Sequence, residues 1–245
     1  MIALGLMATA VAVVLGALGV TANDLQPSAQ RVLVTGVVAA IAPLFWPGKA
    51  QTPARTILIV AAWSCAAALL AAATLFMLRG AVGGPSVTRI TAVCSMLLLI
   101  MLVTHAFAAS IESFAAPRSA DPNSARELAG RVACLVLVFL GALPVWLGPA
   151  AELAGNTEVA LIDLLLSISP LTHLAVASGN DLLRNQWFYQ HSNLAGVRYS
   201  YPDPAAVATG YVVLGLAFAL LPVAMRRLAR ALHPTTSHFT TERIP

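Results

Sequence analysis

Residues 90–111 read ITAVCSMLLLIMLVTHAFAASI, a run without a single Lys, Arg, Asp or Glu. A helix needs about 20 mostly apolar residues to cross a bilayer, and this run supplies them. The one position in it able to carry a positive charge is His105, toward its C-terminal end. A stretch of this kind predicts a membrane-spanning helix, and the rest of the sequence repeats the pattern.

Working outward, Met1–Asn23, Thr56–Leu78 and Pro204–Met225 are likewise free of charge, and Val132–Ala151 just reaches the required length. Val32–Gly48 is shorter and ends on Trp46-Pro47-Gly48, read as an interfacial aromatic followed by a breaker. The expectation is an all-α, polytopic integral membrane helix bundle. Its six spans fall at about 1–23, 31–47, 56–78, 89–111, 131–152 and 204–226, in a single transmembrane domain over 1–232 with a polar tail at 233–245. Nothing positive precedes Arg31, so the first run lacks the basic region of a cleaved signal peptide and is read as a retained helix.

Composition agrees. The 245 residues are 59% hydrophobic and 10% charged, with mean hydropathy +0.83, where soluble chains carry about 25% charged residues. That excludes a soluble enzyme, a nucleic-acid-binding domain and a disordered tail. The pI of 9.3 reflects a net charge of only +4, which is no nucleic-acid footprint. Cys65, Cys94 and Cys134 all lie within apolar runs and read as small buried side chains.

A seventh apolar stretch, 159–180, repeats Leu161, Leu164, Leu165 and Ile168 at helical spacing and is then interrupted by Ser169-Pro170. Proline removes a backbone donor and disfavours helix at the residue before it. Counting Lys and Arg separates two topologies. Six spans with both termini cytoplasmic place Lys49, Arg55, Arg118, Arg126, Arg131, Arg226, Arg227, Arg230 and Arg243 inside. Arg31, Arg79, Arg89, Arg184 and Arg198 then fall outside, nine against five of the fourteen. Seven spans would divide them evenly. The six-span topology is preferred, with 159–203 as a re-entrant or interfacial segment between spans five and six. The polar stretch 112–131 reads as a cytoplasmic loop or short surface helix.

Chemistry-bearing residues are few. The spans are rich in Ala, Gly, Val and Leu, suited to close helix packing in lipid. No ionisable group falls deep in the six spans, which argues against an ion-coupled carrier. His105 and His173 are the one histidine pair considered for haem, and they approach from opposite faces in this topology. Asp163, His173, Asp181 and His191 include metal-ligating types at spacings that match no ligand motif. Ser178-Gly179 lacks the preceding Gly of a GxSG element, and Gly48-Lys49-Ala50 is no Walker A loop. No catalytic residue, metal or cofactor is assigned. The richest stretch is 179–203, with Trp187, Phe188, Tyr189, Tyr199, Tyr201, Arg184 and Arg198. Amphipathic aromatics favour the membrane–water boundary, so it reads as an outer cap, with Asp181 and Arg184 spaced to pair on a helix.

Over residues 56–230 the order of elements resembles the permease subunit of ABC-2-type ATP-binding-cassette transporters. Leu143-Pro144-Val145-Trp146-Leu147-Gly148-Pro149 ends span five. Ser169-Pro170-Leu171-Thr172 is similar to an Asn/Ser-Pro-Leu-Thr element of that family, and the last span has a basic end. The resemblance implies a translocation path through the bundle, in the bacterial cytoplasmic membrane, with ATP hydrolysis supplied by a separate subunit or within a larger oligomeric assembly. Asp163, Pro170, His173, Asp181, Arg184, Trp187, Tyr189, His191 and Arg198 become gate, path or partner contacts. Lys49 and Arg55, with 112–131, become the cytoplasmic face toward the ATPase.

The sequence departs from the family by starting in an apolar run and by a span two to three loop of only 47–55. Those departures suit a second expectation: an accessory subunit of a respiratory or photosynthetic membrane complex, without its own cofactor.

Overall fold

The computed structural model describes residues 2–17, 27–50, 52–82, 87–119, 121–152, 158–181 and 199–232. Among these residues the chain is all-helical, with no strand. The helices are α1 (Ile2–Ala17), α2 (Pro27–Ile41, continued by a 3-10 turn Ala42–Phe45), α3 (Pro53–Val82) and α4 (Val87–Ala115, continued by Ala116–Arg118). Then follow α5 (Pro122–Gly141), α6 (Leu143–Glu152), α7 (Glu158–Ile168), α8 (Pro170–Ser178) and α9 (Pro204–Leu232).

Four segments are long and apolar enough to cross a membrane: Ser28–Phe45, Pro53–Leu78, Val87–Arg118 and Pro204–Met225. The pair α7 and α8 passes the same test jointly, bent by 83° at its break, and α1 is a shorter apolar helix. The chain therefore has the helices of an integral membrane protein, four or five of them at spanning length.

Helix α4 is the mast of the bundle, packing against α2, α3, α5, α8 and α9. Half of its apolar window is buried, whereas none of the window on α9 is; α9 leans on α4 and presents most of its surface outward. The main core gathers Met7 and Val11 of α1, Val34 and Val38 of α2, Ala67 and Ala71 of α3, and Leu97 and Met101 of α4. Small residues set the closest approaches. A Cβ on Gly130 of α5 would lie 2.5 Å from the Pro43 carbonyl oxygen, so α5 seats against the 3-10 turn only because that position has no side chain.

Three expectations change. Residues 131–152, read as one span, form two helices with a turn at Ala142. Pro144 supplies no N–H to continue α5, while the Val145 and Trp146 amides both turn to the Ala142 carbonyl. The 112–131 loop shrinks to a short connection, because α4 runs on to Ala115 and α5 starts at Pro122, where the Asp121 carboxylate caps it by accepting the Asn123 N–H at 3.0 Å. Trp46, expected at the interface, is only 4% exposed.

The break in 159–180 is kept, and its cause extends beyond Pro170. Ser169 is fully buried and caps α8, its Oγ accepting the Thr172 N–H at 3.3 Å. The same Oγ donates to the Gly141 carbonyl at 2.9 Å, one of the carbonyls α5 leaves open at its C-terminus.

Candidate functional site

At the α7–α8 break lies an open-sided cavity of about 580 Å³, bordered on its outer side by the exposed Val136, Ile168 and Leu214. Its walls are almost wholly apolar, formed by α4 (Val103, Phe107), α5 (Leu137, Leu140) and α9 (Gly210, Leu214). Pro170 and His173 line it from α8, and Tyr211 faces them from α9. The His173 ring meets Tyr211 edge-on, with Nδ1 2.7 Å from the tyrosine oxygen. His173 is 5% exposed and its Nε2 has no hydrogen-bond partner. A smaller cavity of about 230 Å³ lies on the other side of the α4–α9 contact, reaching from Tyr211 and Phe218 down to Lys49 and Pro53.

A cluster joins α8 to the starts of α2 and α4. Arg31, in the second turn of α2, is 6% exposed and donates from Nε and Nη2 to the Ser178 carbonyl, at 3.1 and 2.6 Å. Gly179 ends α8 in the left-handed conformation, and its absent Cβ would sit 3.3 Å from Cζ of Arg89. Two guanidinium groups thus meet the C-terminus of α8, where the helix dipole favours positive charge. Close by in sequence, Asp181 accepts hydrogen bonds from the hydroxyls of Tyr199 (2.8 Å) and Tyr201 (2.6 Å), while Asp163 of α7 accepts the Ser200 N–H at 2.8 Å. The three-residue segment 199–201 therefore holds Asp163 and Asp181 together.

At the opposite ends of α2 and α4 sits a second polar knot. Glu112 is 8% exposed, and its Oε2 accepts the Trp46 indole N–H and the Lys49 backbone N–H, both at 2.8 Å. Trp46 also stacks on His105, ring centroids 5.7 Å apart, and His105 Nδ1 lies 2.9 Å from Ser64 Oγ of α3. His105 and Glu112 stand seven positions apart, two turns along one face of α4, so one indole bridges both. Arg126 of α5 closes over Gly48. Arg55 is exposed in the first turn of α3.

The site residues expected from sequence thus divide. Pro170 and His173 share the larger cavity, Asp163 and Asp181 share the 199–201 segment, and Lys49 and Arg55 stand at the start of α3. Arg184, Trp187, Tyr189, His191 and Arg198 lie outside the described residues, as does any Asp181–Arg184 pairing. Histidines 105 and 173 have different partners, Ser64 and Tyr211. Among the described residues no three of His, Cys, Asp or Glu come together as a metal-ligand set. Sequence reading missed Arg31, counted only as an outer-face charge, and Glu112, placed in the polar 112–131 stretch, both of them buried; it assigned Tyr211 no role.

Compared with protein-family models, with curated proteins and with solved structures, the chain matches none. The functional reading therefore rests on the site.

Proposed function

We propose that this chain is a permease-like integral membrane subunit, crossing six times with both termini cytoplasmic, whose path includes the cavity at the α7–α8 break. The carrying observation is that groove: about 580 Å³ on the side of the apolar bundle, in the size range of ligand sites, open where Val136, Ile168 and Leu214 are exposed, with Pro170 and His173 on its wall.

The re-entrant reading of α7 and α8 draws support from two contacts. The end of α8 meets the starts of α2 and α4 through Arg31 and Arg89, and Asp163 and Asp181 are held by one short segment. Both contacts suit a pair of helices that enters and leaves by one face. The Glu112 knot would form the opposite, cytoplasmic face, with Lys49 and Arg55 toward a separate ATPase subunit.

Copurification of the tagged full chain in mild detergent tests this. An ATP-hydrolysing partner that cross-links to Arg55→Cys is the expected result. Redox subunits in its place would make the chain an accessory subunit of an electron-transfer complex. Labelling from one side of the bilayer of both Arg55→Cys and Arg89→Cys would defeat the topology.

A further inference from the structure

We infer that the smaller groove, which α3 and α9 form over α4, seats an acyl chain of an anionic phospholipid with the lipid phosphate at Lys49. The inference goes beyond the transport reading and does not depend on it.

Shape and length argue for a lipid chain. The groove, about 230 Å³, is lined by α4 from Leu99 to Ser113, with α3 and α9 on either side. The rise from Leu99 to Ser113 is about 21 Å at 1.5 Å per residue, more than the roughly 15 Å of hydrocarbon in one leaflet. Ile57, Val212 and Leu216 line it and are exposed, so a chain enters sideways from the bilayer without crossing water. Val60, Leu102, Ala106 and Phe218 then meet it with hydrocarbon.

One end of the groove is basic, and that end selects the head group. Lys49 lines it beside Pro53, Ser113 and Val223, and no other Lys, Arg, Asp or Glu is on the walls. Arg55 is exposed in the first turn of α3, and α9 runs on past Val223 through Arg226 and Arg227 to Leu232. Glu112, the acid at this end of α4, is 8% exposed and turned to the Trp46 indole and the Lys49 backbone amide. A lipid phosphate therefore meets positive charge where the hydrocarbon walls end. Each basic residue near a membrane surface favours an anionic lipid about fivefold. A zwitterionic head brings an ammonium group that the same charges repel. The larger groove at the α7–α8 break has no charged residue on its walls and makes no such choice.

Two substitutions separate the head from the chain. Lys49→Gln removes the charge and keeps the backbone N–H that Glu112 accepts in the turn before α3. Ala219 lines the groove from α9 and is half-buried. Ala219→Leu fills space that an acyl chain would take, and leucine suits a helix nearly as well as alanine.

The experiment uses the full chain in phosphatidylcholine nanodiscs. These carry a trace of phosphatidylglycerol with a diazirine on one acyl chain, or of phosphatidylcholine bearing the same chain, and labelled peptides are mapped by mass spectrometry. The phosphatidylglycerol probe should label peptides holding Leu99–Ser113 and Tyr211–Val223 about five times more than the phosphatidylcholine probe. Lys49→Gln should remove most of that difference, Lys49→Arg should keep it, and Ala219→Leu should cut labelling of these peptides several-fold. Equal labelling of the native chain by the two probes would mean ordinary surrounding lipid only and would overturn the inference, as would labelling unchanged by Ala219→Leu. A disulfide-linked dimer through Leu216→Cys, formed in place of lipid labelling, would give the groove to a second copy of the chain and equally overturn it. Should Ala219→Leu not fold, the two probes on the native chain still decide. Copurification of an ATPase or of redox subunits bears on the transport reading alone and leaves this result as it falls.

Discussion

The hydroxyl of Ser110 on α4 lies 2.6 Å from the carbonyl oxygen of Phe218 on α9, the very carbonyl that Pro222, four residues on, cannot reach with an N–H. A proline inside a helix orphans the carbonyl one turn back, and in lipid no water replaces the missing donor. Here a neighbouring helix supplies it, beside the Phe107–Phe218 ring contact at 5.0 Å. Ser110→Ala should therefore destabilise the detergent-solubilised protein, whereas the same change in a Pro222→Ala background should cost little, because the helix then satisfies Phe218 itself. The double-mutant cycle should show coupling of about 0.6–1.7 kcal/mol, the range for such bonds between membrane helices. Additive melting shifts would mean that Ser110 bonds only the Ala106 carbonyl of its own helix, 3.0 Å away.

Two glycines should respond oppositely to the same change. Gly130→Ala drives a methyl group to within 2.5 Å of the Pro43 carbonyl oxygen, and backbone does not yield as a flexible side chain would. Overpacking of that kind costs about 1–3 kcal/mol, more than the gain of up to about 1 kcal/mol from replacing glycine within a helix. Gly210→Ala meets open space and keeps the gain. Thermal melting should fall for the first variant and hold or rise for the second; a fall for both would place α9 closer to the bundle than described.

Glu112 organises the turn before α3 by accepting two N–H groups on one oxygen. Glu112→Ala leaves the Trp46 indole and the Lys49 amide without an acceptor, at about 1–3 kcal/mol for each group that stays buried. Glu112→Gln keeps a carbonyl oxygen in the same place and should retain most of the stability. If glutamine proves as damaging as alanine, charge rather than acceptor geometry holds the turn.

How much of this could be read beforehand follows from the range of each interaction. The helices α3, α4 and α9 were legible because a charge-free run of spanning length is a local signal. The α7–α8 break was legible because Pro170 marks it. The division of 131–152 was within reach of the same logic through Pro144, but counting charge-free length gave that proline no weight. Arg31 and Glu112 were not legible. Each is a charge at a helix end whose partner lies far along the chain, 147 positions away for Ser178 and 66 for Trp46, and taken locally each resembles a loop residue. One trace of the Glu112 knot does exist in the sequence: His105 and Glu112, seven apart, must share a face of any helix that holds both. The His173–Tyr211 pair left no trace at all, since only the packing of α9 beside α8 brings it together.

The origin of the bend at 169–170 yields the last prediction. Pro170 occupies the first turn of α8, where its missing N–H removes no helical bond, so Pro170→Ala should leave the bend in place. Ser169 does more: its single hydroxyl caps α8 and ties the break to the end of α5 through the Gly141 carbonyl. Ser169→Ala loses a cap worth about 1 kcal/mol and frees a carbonyl in an apolar setting. Spin labels at Leu164→Cys and Asn180→Cys report the difference. A straight helix would separate the two backbone positions by about 24 Å, and the 83° bend holds them nearer. The native chain and Pro170→Ala should share the short distance, Ser169→Ala should broaden it, and the double variant should move toward the straight-helix value. A shift to that value from Pro170→Ala alone would return the bend to proline and leave Ser169 a bystander.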